Sequence, residues 1–359
     1  MMNQAAPRRC EVVGLGLIGT SVAWALREAG WVVSGRDRRA ERAERALGLG
    51  AIDRVGEDEA AVLAVIATPV AEIPKVAGEL LAREGASSLV VTDVGGVKGK
   101  VLAAIDHPRF VGGHPMAGSE QEGPDGADPA LFVGATWVLC PTSTTDEAAY
   151  AAVRAAVREV GAEVVALAPE HHDALVAVVS HVPHLVAATL MTLAADASEE
   201  QGSLLRLAAG GFRDMTRIAA GDPAIWPDIF RDNAPAVLAA LDGLQTRLAE
   251  ARRIVTEGDR EALVALLERA KAARRNLPAR TPRPESVVEC RIPVPDRPGV
   301  LAEVTTLLGE LGVNVYDLEI AHSAEGERGV LVLSLDAKAA DLARGGLMAR
   351  GYRPSIWRP

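Results

Sequence analysis

Cysteine is nearly missing from this chain of 359 residues: Cys10, Cys140 and Cys290 stand far apart, with no CxxC spacing. That odd, scattered set excludes a disulfide framework and supplies no zinc site, so no metal is expected and a reducing cytoplasm fits best. An excess of positive charge is missing as well. With 38 Lys and Arg against 48 Asp and Glu, the formal net charge is −10. This argues against a nucleic-acid partner, because tracking phosphates takes a cationic face. A small anionic ligand stays open if a few arginines gather locally. Also lacking are any internal repeat and any run of the roughly 18 apolar residues that a membrane span requires.

What is present is ordinary globular composition, 49% hydrophobic and 24% charged, over a length that exceeds one core and predicts two or three domains. Through residue 168, short β-branched runs alternate with helical patterns, the rhythm of an α/β fold with a largely parallel sheet. Strands are expected at Glu11–Val13, Val32–Gly35, Val62–Ala67, Leu89–Asp93, Phe110–Gly112, Thr136–Leu139 and Glu163–Ala166, with helices at Ile18–Ala29, Ile73–Arg83 and Glu147–Val160. Residues 169–277 turn Ala/Leu-rich and read as an all-helical domain, whose long apolar helices suit pairing with a second subunit. Three prolines mark 278–285 as a linker. Residues 286–359 follow the order βαββαβ, a ferredoxin-like pattern.

Val12-Val13 runs into GLGLIG at Gly14–Gly19. The first glycine allows a tight turn, the second admits a pyrophosphate, and the third lets helix and strand pack, with Leu17 and Ile18 opening the helix. Asp37 closes the second strand, 18 positions after Gly19, where a carboxylate accepts from ribose hydroxyls and repels a 2′-phosphate. NAD is therefore expected over NADP, although Arg36, Arg38 and Arg39 flank that carboxylate. The same glycines dispose of a secretory signal, which Arg8-Arg9 and the apolar stretch to Leu26 would otherwise resemble.

Downstream, FVGGHPMAGSE at Phe110–Glu120 carries one histidine among glycines. A histidine takes and holds a proton near neutrality, so beside a hydride acceptor His114 suggests alcohol oxidation. His181 and His184 lie three apart, spacing that suits a metal pair, but no third ligand is near and a hydrogen-bonding role in a pocket is preferred.

The runs GLGLIG (Gly14–Gly19), ATPV (Ala67–Val70), TDVGGVK (Thr92–Lys98), FVGGHPMAGSE, LFVGATWVLCP (Leu131–Pro141), SHVPH (Ser180–His184) and GFRDMTRIA (Gly211–Ala219) occur in the order that prephenate dehydrogenases show. About residues 9 to 275 resemble that family. The resemblance implies NAD-dependent oxidative decarboxylation of prephenate to 4-hydroxyphenylpyruvate in tyrosine synthesis, with His114 as the hydrogen acceptor. It implies that Arg217 grips a substrate carboxylate through its planar fork. Arg213, one turn earlier, either assists or pairs with Asp214, and Trp226 either borders the substrate or packs in the core. Ser119, Glu120, His181 and His184 are expected around the pocket, and Thr68, Pro69 and Asp93 beside the cofactor. One departure matters: many relatives carry a serine where this chain has Gly96, and its hydroxyl bonds the catalytic histidine. Loss of that bond is expected to leave His114 less firmly oriented unless water or another hydroxyl, such as Ser119 or Thr92, substitutes.

Val294–Ala321 resembles an ACT domain, a module that binds amino acids at paired interfaces. Asp296, Pro298 and Gly299 form one expected effector turn, Gly312 and Asn314 the other, with tyrosine as effector and phenylalanine as runner-up. The expected protein is thus a Rossmann-type domain, a helical dimerisation domain and an ACT domain, cytoplasmic and homodimeric. The alternatives are an arogenate (cyclohexadienyl) dehydrogenase and a catalytically silent sensor of nucleotide and amino acid.

Overall fold

Val12 and Val13 are adjacent in the first strand yet enter different apolar clusters, Val12 with Leu26, Val33 and Trp137, and Val13 with Ile66, Ile73 and Phe110. A strand buried on both faces belongs to a sheet with helices on either side. The computed structural model describes residues 7–83, 88–119, 121–200, 204–276, 287–295, 297–322 and 328–357. The expected linker, Glu120 and Asp296 lie outside them.

Eight strands form the first sheet: β1 (Arg9–Val13), β2 (Val32–Arg36), β3 (Arg54–Val55), β4 (Leu63–Ile66), β5 (Val90–Asp93), β6 (Phe110–Pro115), β7 (Thr136–Cys140) and β8 (Glu163–Ala166). Their order is β3-β2-β1-β4-β5-β6-β7-β8. All neighbours are parallel except β6 and β7. The order reverses between β1 and β4, the switch point where doubly wound sheets bind ligands. Helices α1 (Leu17–Glu28), α2 (Ala40–Gly48), α3 (Ile73–Leu81), α4 (Gly99–Ala104) and α5 (Glu147–Glu159) connect the strands.

Strand β6 corrects the sequence reading: it extends to Pro115, pairing His114 with Val138, so the histidine stands on a strand and not in a loop. Gly112 and Gly113 hid it, since glycine weakens strand propensity. Both are there for close approach. A Cβ at Gly113 would lie 2.6 Å from the Asp93 carbonyl oxygen, and one at Gly112 3.0 Å from Leu102.

The chain continues through α6 (Pro169–Val176), a π-helical turn at Ala177–His181, α7 (Val182–Glu200), α8 (Gly210–Thr216), α9 (Trp226–Asp232), α10 (Ala234–Glu257) and α11 (Arg260–Arg275). Ala177, Val182 and Val237 form the buried centre here, with Leu185, Phe230 and Leu241 packed around it. The run Pro169–Glu199 holds an 18-residue window of mean hydropathy 1.8, long and apolar enough by composition to cross a membrane. That corrects the reading that no such stretch exists; in the fold the same run buries His172, Asp173, His181 and His184.

Residues 1–263 make one compact unit and 264–359 a second, with the boundary inside α11. In the second unit, β9 (Val287–Pro295), α12 (Val300–Glu310), β10 (Val315–His322), β11 (Arg328–Asp336), α13 (Ala340–Ala349) and β12 (Ser355–Trp357) follow the expected βαββαβ order. The sheet is antiparallel, ordered β10-β11-β9-β12. Cys290, Ile292, Val304, Leu308, Leu333 and Leu347 fill its core.

Candidate active site

Gly14 has φ +96°, and a Cβ there would meet the Ala67 carbonyl oxygen at 2.5 Å; one at Gly19 would lie 1.8 Å from the Gly14 oxygen. Both glycines are sterically required. Gly16 differs: its Cβ would meet only Arg42 Nη1, at 3.9 Å, so its outer side is open. Gly16 is also the N-cap of α1, and no side chain caps that helix. The first amides of α1 thus face a cleft of about 510 Å³ lined by Gly16, Leu17, Ile18, Gly19, Arg42, Ala67, Gly118, Ser119, Glu122, His184, Arg217, Asp222 and Trp226. Uncapped helix amides with a glycine in front suit a pyrophosphate. Beside them, Thr68 Oγ1 is buried without a hydrogen-bond partner. The residues present therefore fit a dinucleotide.

Asp37 lies at the end of β2, but its carboxylate accepts from the Leu15 amide at 2.7 Å and the Arg39 amide at 2.9 Å, bracing the glycine turn from behind. Asp93 departs from expectation. It is fully buried; its carboxylate accepts from the amides of Gly95 and Gly113 and pairs with the buried ammonium of Lys98. Its side chain is an internal anchor between the β5 turn and β6. Lys98 Nζ also donates to the Gly113 carbonyl at 2.8 Å, which ties the β5 turn to β6 next to His114.

His114 is half-buried. Its Nδ1 lies 2.9 Å from His172 Nε2, and His172 Nδ1 lies 2.8 Å from Asp173 Oδ1. Burial, together with the neighbouring His172, Lys98 and His181, holds the His114 imidazole well below its usual range, so it is a neutral base at pH 7. Neither hydroxyl named for the missing serine is hydrogen-bonded to His114: Thr92 Oγ1 donates to the Val111 carbonyl at 2.7 Å, and Ser119 Oγ accepts from the Gln121 amide at 3.3 Å. His172 and Asp173 were not singled out in the sequence. Their signal was EHHD at Glu170–Asp173, a histidine pair with a following acid where the helical part begins.

The π-helical turn brings His181 and His184 onto one side. Asn233 Nδ2 donates to the His181 Nδ1 at 3.2 Å and to the Asp173 carbonyl at 2.9 Å. Burial pushes the His181 imidazole down to about 4. His184 stacks on Trp226 with ring centroids 3.7 Å apart, and both line the cleft with Arg217 and Ser119. Trp226 is thus a wall of the cleft as well as a packing partner. Arg213 is exposed and donates to the Ala208 carbonyl at 3.2 Å; neither it nor Pro69 lines the cleft. Neither do His114, His181, Asp37, Thr68 or Asp93. His181, one of the groups that depress His114, meets the Trp226 ring edge-on with centroids 6.3 Å apart.

In the second unit, Pro298 and Gly299 precede α12, with φ +87° at Gly299, and Gly312 and Asn314 follow it; all four are exposed.

Residues 22–166 match the model of the prephenate dehydrogenase nucleotide-binding domain, 168–269 that of the prephenate dehydrogenase dimerisation domain, and 288–344 that of the ACT domain. The chain is 36% identical to a prephenate dehydrogenase of Bacillus subtilis over 341 residues, covering 91% of each. It is similar to the structure of an A. aeolicus prephenate dehydrogenase in complex with hydroxyphenyl propionate and NAD+, at TM-score 0.71 and 32% identity, over 77% of this chain and all of that one. Synechocystis arogenate dehydrogenase follows at TM-score 0.62 and 31% identity, over 74% of this chain and 98% of that one. With the nucleotide cleft, the helical segment and the ACT module all matched, the chain belongs to the prephenate dehydrogenase family and is an NAD-dependent dehydrogenase.

Proposed function

We propose that the substrate is prephenate, oxidised and decarboxylated to 4-hydroxyphenylpyruvate. The observation that carries this reading is a neutral histidine base, His114, in the same unit as a cleft that joins uncapped helix amides to an arginine, Arg217. NAD+, when bound, supplies the hydride acceptor. Arg217 holds a substrate carboxylate, and the Trp226–His184 stack forms an apolar wall for the ring. His114 accepts the proton as the hydroxyl O–H bond breaks. The ring carboxylate leaves as CO2, its bonding pair completes the aromatic ring, and the proton returns to the phenolate oxygen.

Arogenate is the second reading, because Glu122 and Asp222 line the same cleft and an ammonium would pair with either. Initial rates of NADH formation with prephenate and with arogenate decide between them. A higher kcat/KM for prephenate is expected; a higher one for arogenate reverses the assignment, and inertness of both returns the chain to the silent sensor.

Tyrosine is the proposed effector. Pro298–Gly299 and Gly312–Asn314 stand at opposite ends of the 11-residue α12, about 16 Å apart at 1.5 Å per residue. One amino acid reaches both only across two modules, which fits a homodimer. Apolar side chains exposed on the helical segment, Val179, Leu193, Leu207 and Leu238 among them, support pairing there. Three free, buried cysteines suit the reducing cytoplasm. Adding tyrosine to the same assay is expected to lower the rate; no effect removes the effector from the proposal.

A further inference from the structure

Something has to hold the His114 ring, since Gly96 offers no hydroxyl, Thr92 donates to the Val111 carbonyl, and the Ser119 hydroxyl contacts the Gln121 amide. The contact that exists is on the other nitrogen, through His172 to Asp173. Hydrogen direction along this line is dictated by its far end. A backbone amide can only donate, and those of Lys98 and Gly99 give to Oδ1 and Oδ2 of Asp173, each at 2.8 Å. An ionised carboxylate accepts in every contact, so the hydrogen in the third contact belongs to His172 Nδ1. A neutral imidazole carries one N–H. His172 Nε2 is therefore a lone pair, and the hydrogen between the two rings sits on His114 Nδ1. That leaves Nε2 of His114 bare, on the side where a Cβ at Gly96 would stand 3.8 Å away.

We propose that His172 and Asp173 are positioning residues that hold His114 in its Nδ1–H tautomer and so present an unprotonated Nε2 to the substrate hydroxyl. This rests on the reading of His114 as the base. His172 is fully buried, so water does not compete for Nδ1 of His114. When the hydroxyl proton bonds to Nε2, the new positive charge is shared along the line toward the Asp173 carboxylate. The other charged or titratable groups near His114 are Lys98, which is paired with Asp93, and His181.

Two substitutions separate the halves of the line in the full-length enzyme. His172→Asn keeps a donor at the position of Nδ1 for Asp173 but removes the acceptor from His114. His172→Gln places an amide oxygen where Nε2 stood and restores that acceptor. His172→Asn is expected to lower kcat about a hundredfold, with His172→Gln recovering roughly tenfold of it. The KM for prephenate and the affinity for NADH should stay near wild type in both. The acid limb of kcat/KM should move to lower pH in His172→Asn, because protonated His114 loses the acceptor that shares its charge toward Asp173. Wild-type turnover in His172→Asn, or equal losses in the two variants, overturns the proposal.

The tautomer is also read directly in the unsubstituted enzyme, without substrate, from imidazole ¹⁵N spectra at neutral pH, with His114 identified by its loss in His114→Asn. Nδ1 protonated and Nε2 bare is expected, and an Nε2–H form overturns the proposal. Because this needs no turnover, failure of the prephenate reading and failure of the tautomer assignment are told apart.

Discussion

Gly16 and Gly19 sit three apart in one turn and tolerate a methyl group very differently. At Gly19 the added Cβ would fall 1.8 Å from the Gly14 oxygen, while at Gly16 it meets nothing closer than Arg42 at 3.9 Å and projects toward the cleft. Gly19→Ala is expected to cost at least about 3 kcal/mol of stability, since the backbone itself must move. Gly16→Ala should melt like the wild type and weaken NADH by roughly 10–100-fold, the range for losing one hydrogen bond to a charged group. Thermal melts and fluorescence titration check both; a well-folded Gly19→Ala or a tight-binding Gly16→Ala contradicts the geometry. At this scale the glycine loop was legible because each glycine answers a local steric demand. Asp93 was not, because the sequence shows an acid at a strand end but not the Lys98 ammonium that turns it inward. His172 escaped notice for a similar reason: its role depends on a strand 58 residues upstream.

Between α6 and α7 the single π-helical turn shifts the helical register, and Asn233, just before α10, is what meets it. This buried amide joins three elements by donating to the Asp173 carbonyl and to His181. Asn233→Ala leaves that carbonyl and ring nitrogen short of a donor, at a cost of about 1–3 kcal/mol. It should also raise the prephenate KM severalfold while NADH affinity holds, because His181 touches Trp226 and not the glycine loop. Denaturant unfolding and steady-state kinetics measure the two effects, and a change in NADH affinity alone would contradict it. Most long elements were visible as apolar periodicity, whereas α2, which buries only Ala43 and Ala46, and α4, six residues long, offered too few large apolar side chains or too short a run to register.

Across the molecule, buried histidines and carboxylates set how stability responds to acid. His181, with its imidazole near 4, and His114 stay neutral when folded, but the unfolded chain protonates both below about 6.5. Stability therefore declines as pH drops from about 6.5 toward 4. Burial alone would raise Asp173 and Glu11, but hydrogen bonds from His172 and the Lys98 amide to the first, and from Arg83 and Arg36 to the second, bring both below the ordinary carboxylate range. Their contribution is present above the unfolded value and fades as pH falls through the lowered one, steepening the loss. The urea midpoint, at constant slope, should fall continuously between pH 7 and 4; a flat profile down to pH 5 would refute the assignment.

The Asp173 carboxylate grips the amides that open α4 with one hand and the His172 ring with the other, and these belong to parts of the chain about 75 residues apart. The base is thus armed only when α6 has docked on the sheet. A partly folded chain holding the nucleotide but not this helix would carry a histidine free to flip between tautomers, so chemical competence arrives together with tertiary completion.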